Sequence, residues 1–139
     1  MGKMIFLNLP VRDIVAATKF YQAIGCTKND QYSDERSSSM VWSEVITFQL
    51  MTHEYFATFT PKKLGDARTT CGMLIALNRE SRSDVDAMVE SAASAGGAPD
   101  VRPVMDHGWM YNRAFEDPDG HMFEVMWMDA KAAADAMNQ

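Results

Sequence analysis

Apolar positions along this chain fall into two successive series of the same order. From Met4 to Leu9 every residue but Asn8 is apolar, Pro10 stops the run, and Asp13 stands where a helix N-cap is wanted, so a strand leads into a helix. Ile14, Ala17, Phe20, Tyr21 and Ile24 recur at spacings of three and four, and Gly25 sits where a C′ glycine ends a helix. Lys28 to Ser39 is polar and reads as a short edge strand and a loop. Met40 to Met51 reads as a hairpin turning at Ser43-Glu44, with Ile46, Phe48 and Leu50 alternating against Val45, Thr47, Gln49 and Met51. Thr52 to Thr70 is a connection, with Tyr55, Phe56 and Phe59 on a helical turn before Pro61.

The pattern then begins again. Cys71 to Leu77 predicts a strand; Ser83-Asp84-Val85-Asp86 resembles a capping box opening a helix through Val85, Met88, Val89 and Ala92, which Gly96-Gly97 ends. Val101 to Val104, Trp109 to Phe115 and Met122 to Met128 supply three more strands, the last two joined by the turn Asp117-Pro118-Asp119-Gly120. Asp129 caps a short Ala-rich helix. The period of roughly seventy residues is too long for a solenoid unit and occurs twice, which predicts two packed copies of a strand-helix-three-strand module.

Composition narrows the class. A chain of 139 residues is one domain's worth, read here as a single domain: module one over about 4–60, a connection over about 61–69, module two over about 70–129 and a C-terminal helix over 130–139. At 47% hydrophobic and 23% charged residues it is too apolar to stay disordered. A net charge of -6 with no basic run argues against a nucleic-acid partner. No stretch approaches the ~18 apolar residues of a membrane span, and the first residues break up before a signal-like core develops, so the expectation is a soluble, cytoplasmic protein. Cys26 and Cys71 form no Cys-x-x-Cys pair and have no His at metal spacing; they read as reduced thiols serving as small apolar residues. The 12 methionines suit an adaptable pocket as well as gap-filling in a core.

Three segments carry a resemblance: Ile5 to Leu9 followed by Pro10-Val11-Arg12-Asp13-Ile14, the helix end Phe20-Tyr21-Gln22-Ala23-Ile24-Gly25, and Phe115-Glu116-Asp117-Pro118-Asp119-Gly120-His121-Met122-Phe123-Glu124. Their order and spacing resemble the glyoxalase, bleomycin-resistance and extradiol-dioxygenase (vicinal oxygen chelate) superfamily, and the run from Gly108-Trp109 to Trp127-Met128-Asp129 is similar to its lactoylglutathione-lyase-related branch. The resemblance implies an α+β fold: two tandem βαβββ modules forming a cup-shaped, incomplete mixed β-barrel with helices outside, usually in a homodimer. It also implies a divalent metal in the cup. Carried over one at a time, the four ligand positions fall on Phe6, Gln49, Gly72 and Glu124. Phe and Gly offer no side-chain donor and Gln only a neutral amide oxygen, so Glu124 is left as a weak single ligand and the usual metal site reads as lost.

Parity supplies a pocket lining all the same. With Glu124 inward, Met122, Met126 and Met128 share its face, while Phe123, Val125 and Trp127 pack under the helices. A carboxylate among methionines must be hydrogen-bonded, paired with a cation, or hold a proton and act as general acid or base. Arg113 on the neighbouring strand, with Tyr111 on the same face, is the expected partner, within a network that could equally be structural. Trp109 shares that parity and could stack on a planar ligand; His53 shares the parity of Gln49 and is expected at the rim. Three functions follow. The first is an atypical lyase, isomerase or other enzyme using Glu124 as acid or base on a small oxygenated substrate. The second is a sequestering protein of bleomycin-resistance type, for which cationic compounds suit an acidic chain. The third is a metal-dependent lyase or dioxygenase with relocated ligands.

Overall fold

The computed structural model describes residues 2–138, in two compact units that divide between Asp66 and Ala67. The first unit runs β1 (Ile5–Val11), α1 (Ile14–Ala23), β2 (Thr27–Lys28), a 3-10 turn (Asp30–Tyr32), β3 (Ser37–Val41), β4 (Ile46–Thr52) and α2 (His53–Ala57). The second runs β5 (Leu74–Asn78), α3 (Arg82–Ser94), β6 (Ala98–Pro99), β7 (Met105–Asp106), β8 (Met110–Glu116), β9 (Met122–Met128) and α4 (Ala130–Met137).

Both units have the same topology. In the first the sheet order is β1-β4-β3-β2, with β1 parallel to β4 and the other pairs antiparallel. In the second it is β5-β9-β8-β6, with β5 parallel to β9, and β7 continuing the edge beside β8. Counting β6 and β7 as one interrupted strand, each unit is a βαβββ module, and the fold is α+β.

Local chemistry accounts for the elements. Asp13 Oδ1 accepts from the amides of Val15 and Ala16, both at 3.0 Å, which starts α1, and Gly25 at φ +119° ends it. Phe20, Tyr21, Phe48 and Leu50 are fully buried, with the Tyr21 and Phe48 rings 5.5 Å apart, so α1 covers the Phe48 face of its sheet as the alternation predicts. In module two, Val85, Met88, Val89 and Ala92 are the buried stripe of α3, and Phe115 stacks on its cross-strand partner Phe123 at 5.2 Å. Asp117 Oδ1 accepts from Asp119 and His121 amides and forms the predicted turn, and Asp129 caps α4.

Four local expectations are corrected. Pro10 does not end the first strand, because β1 is a sheet edge, where a residue without an N–H is tolerated. Cys71 to Met73 precede β5, which begins at Leu74. The cap of α3 is Ser81, whose Oγ accepts from the Asp84 amide at 3.1 Å, two residues ahead of the expected Ser83. Val101 to Val104 is no strand; it interrupts the edge between β6 and β7, starting at Asp100 with φ +48°.

Candidate functional site

In module one the sheet face opposite α1 floors a cavity of about 830 Å³. Strand alternation and register assemble it. Phe6 of β1 lies beside Thr47 of β4, which pairs with Val41 of β3; Gln49 pairs with Ser39 and Met51 with Ser37. The walls come from the 29–34 segment and the β3–β4 turn, and Tyr55 of α2 closes another side. The Gln49 amide nitrogen donates to Ser37 Oγ and, at 3.4 Å, to the Tyr32 carbonyl, which leaves its carbonyl oxygen facing the cavity as an acceptor. Ser39 and Thr47 are 4% and 5% exposed, and their hydroxyls have no partner among the described residues.

Of the expected ligand residues, Phe6 and Gln49 therefore line one cavity. His53 does not join them. The expectation assumed that β4 continues; instead the Thr52 hydroxyl accepts from the Tyr55 amide at 3.2 Å and starts α2, so His53 is an exposed first-turn residue and Tyr55 takes the position on the cavity. Tyr55 was legible only as part of a helical turn.

In module two the pairing expected for Glu124 is corrected. Residues opposite each other across a ladder share a face, and the register sets Ala114 against Glu124 and Arg113 against Val125. Arg113 and Tyr111 thus lie on the α3 side. Arg113 donates to Asp86 at 2.8 Å and to Asp100 at 2.7 and 3.0 Å, and Tyr111 donates to Asp86 at 2.7 Å. The Tyr111 and Arg113 hydrogen bonds hold the Asp86 carboxyl below the usual carboxylate range, and Arg113 does the same for Asp100. Trp109 is half-buried and stacks on His107 at 5.9 Å, and Arg82 lies 4.4 Å over the Tyr111 ring.

The partner of Glu124 is Arg102, which the sequence reading missed. Its Nη2 donates to Glu124 Oε1 at 2.8 Å and also to Asn112 Oδ1, and its Nη1 to the Pro103 carbonyl. The side chains of Arg102 and Glu124 are 22% and 23% exposed, so the pair is half-sheltered, beside the buried Asn112. The available signal was the turn at Asp117–Gly120: pairing Glu116 with Met122 across it fixes the parity and removes Arg113 from the face of Glu124.

The donor chemistry at the four metal positions does not fit a divalent ion. Phe6 is apolar, Gly72 has no side chain and lies ahead of β5, Gln49 offers only a neutral amide oxygen, and Glu124 accepts from Arg102. Among the described residues no group of three or more His, Cys, Asp or Glu is arranged to hold a metal ion.

Comparison with known proteins agrees with this architecture. The family model described as Glyoxalase/Bleomycin resistance protein/Dioxygenase superfamily matches residues 3–125, and the chain belongs to that superfamily. No curated protein matches it in sequence. Among solved structures it is similar to a hypothetical protein from S. aureus (24% identity, TM-score 0.76, 91% of this chain and 95% of that one). It is also similar to a glyoxalase/bleomycin resistance protein/dioxygenase family enzyme from Burkholderia phytofirmans PsJN (19%, 0.74, 91% and 99%). The fosfomycin resistance protein FosX from Mesorhizobium loti shares the fold as well (17%, 0.67, 96% and 98%). No helix among the described residues is long and apolar enough to cross a membrane.

Proposed function

We propose that this protein binds a small molecule in the module-one cavity, as a sequestering or carrier member of the superfamily with a degenerate metal position. The observation that carries this reading is the floor of the cavity. Ser39 and Thr47, buried as residues, have hydroxyls that meet no protein partner among the described residues and line the cavity, where they are open to a ligand or water. A volume of about 830 Å³ lies within the range of pockets for drug-sized ligands, roughly 300–1,000 Å³. The likeness to a fosfomycin resistance protein supports a role on a small antibiotic-like compound at the level of the fold.

A thermal-shift screen of a small-molecule library tests the reading. Compounds that stabilise the wild type should bind the Ser39→Ala/Thr47→Val double variant at least about tenfold more weakly, since two hydroxyl contacts are lost while shape is kept. Hits indifferent to the double variant would refute it. A second reading keeps Glu124 as acid or base: its Oε2 accepts from no described residue and stays free for a substrate. Turnover lost in Glu124→Gln, with ligand-induced NMR shifts centred on β9 instead of β4, would favour that reading. We also propose a homodimer, because β1 and β5 are sheet edges carrying the exposed apolar residues Ile5, Phe6 and Leu74; light scattering at micromolar concentration checks it.

A further inference from the structure

We infer that the module-one cavity selects a hydroxyl-bearing organic ammonium, an amino sugar or amino polyol, and discriminates against anions. This rests on the reading of that cavity as a ligand site and goes further by naming the ligand's chemistry.

The charges are one-sided. The lining contains two carboxylates, Asp34 and Glu44, and no Lys or Arg. The cation adjacent in sequence, Arg36, has its guanidinium 4.4 Å over the Tyr55 ring and 3.7 Å from Asp34 Oδ2, so it is paired with groups of the wall. Asp34 Oδ1 accepts from the amides of Arg36 and Ser37 and is fixed in place. Glu44, exposed on the β3–β4 turn, has no ion pair or hydrogen bond among the described residues. With Asp34 countered by Arg36, Glu44 is the uncompensated charge of the lining: an anion entering this cavity would lose hydration beside it, whereas an ammonium would gain a counter-charge.

The other polar groups of the lining are neutral hydroxyls and amides. The Gln49 amide nitrogen is committed to Ser37 and Tyr32, which leaves its carbonyl oxygen as an acceptor; the Asn29 and Gln31 side chains add amide donors, and the Ser39 and Thr47 hydroxyls can act either way. Matching that set takes a ligand rich in hydroxyl groups, which donate and accept. Phe6, 57% exposed, contributes aromatic surface, which favours the C–H face of a sugar ring and the face-on approach of a cation.

Isothermal titration of the full chain with three matched trisaccharides tests the inference: chitotriose bearing free ammonium groups, triacetylchitotriose with the same skeleton uncharged, and trigalacturonate as the anion. Chitotriose should bind tightest and trigalacturonate weakest. Glu44→Gln should weaken chitotriose by about fivefold and leave triacetylchitotriose unchanged, as expected for one solvent-accessible charge pair. Equal binding of chitotriose and its acetylated form, or binding of trigalacturonate as tight as that of chitotriose, overturns the inference while the cavity remains a ligand site. Binding of none of the three also overturns it, and the library screen with the Ser39→Ala/Thr47→Val variant then decides the broader reading by itself.

Discussion

Replacing Arg102 by Met should destabilise the protein by about 2–4 kcal/mol, which follows from what the guanidinium leaves behind. Met keeps an apolar stem of similar reach, so the loss is electrostatic and hydrogen-bonding more than steric. Asn112 is 3% exposed, and its Oδ1 would lose the Arg102 donor with little access to water, at about 1–3 kcal/mol for an unsatisfied buried acceptor. Glu124, with its side chain 23% exposed, lies between the surface case, where an ion pair is worth about 0–1 kcal/mol, and the fully buried one, where breaking a pair costs about 3–5 kcal/mol. The partial exposure places its share near the lower end, at about 1 kcal/mol. For a chain of this size the total should lower Tm by roughly 7–14 °C. Urea unfolding of Arg102→Met, Glu124→Gln and the double variant closes a thermodynamic cycle, with an expected coupling of about 1–1.5 kcal/mol. A coupling below about 0.3 kcal/mol would refute the pairing and with it the account of why Glu124 is withheld from a metal.

Four further outcomes are expected. Gly120→Ala should cost at least about 2 kcal/mol, because φ is +93° and an added Cβ would meet the Ala67 carbonyl oxygen at 2.8 Å; an unchanged urea midpoint would contradict the tight turn. Burial pushes the Cys26 thiol up to about 12 whereas Cys71 is exposed, so iodoacetamide at neutral pH should modify one thiol per folded chain and two in urea, and rapid labelling of Cys26 would argue against its burial. Asp86 and Asp100 have folded values below their unfolded ones, so their stabilisation is present above the ordinary carboxylate range near pH ~4 and is lost as pH falls through the lowered values; the stability gap between wild type and Arg113→Met should narrow from about pH 5 to pH 2, modestly because both acids are well solvated, and a gap independent of pH would dismiss the network. Elemental analysis of native protein should find no stoichiometric metal bound through Glu124, and near-unit nickel, zinc or iron that disappears in Glu124→Ala would reverse that assignment.

Most of the architecture was legible because it rests on local signals. The Asp13 cap, the Phe20-Tyr21 stripe, the Phe48 and Phe123 alternations and the Asp117–Gly120 turn each act within a few residues, and each falls where the pattern places it. The site was less legible because it depends on pairing across strands. Arg113 and Arg102 are equally polar in sequence; the ladder register removes Arg113 from the face of Glu124, and only the path of the loop between β6 and β7 brings Arg102 to it. His53 failed for a related reason: parity extrapolates a strand indefinitely, while one threonine hydroxyl at its end is enough to start a helix.

The two modules share a topology but differ at one edge, and that difference shapes their faces. In module one the edge strand β2 is two residues long, and the polar segment beyond it, tied to β3 by the Asn29 and Asp34 amides, walls an open cavity floored by Ser39, Thr47 and Gln49. In module two the corresponding edge is interrupted between β6 and β7. The interruption is held at Asp100 by Arg113 and, just beyond, at Asp106 by Arg82, which sends Arg102 to the opposite face of the sheet, onto Asn112 and Glu124. The ion pairs on the α3 side therefore position an arginine on the far side. If so, weakening Asp100–Arg113 should loosen Arg102 without touching it: Asp100→Asn should reduce the Arg102–Glu124 coupling energy measured in the same cycle, and an unchanged coupling would show that Arg102 is held by its own contacts alone.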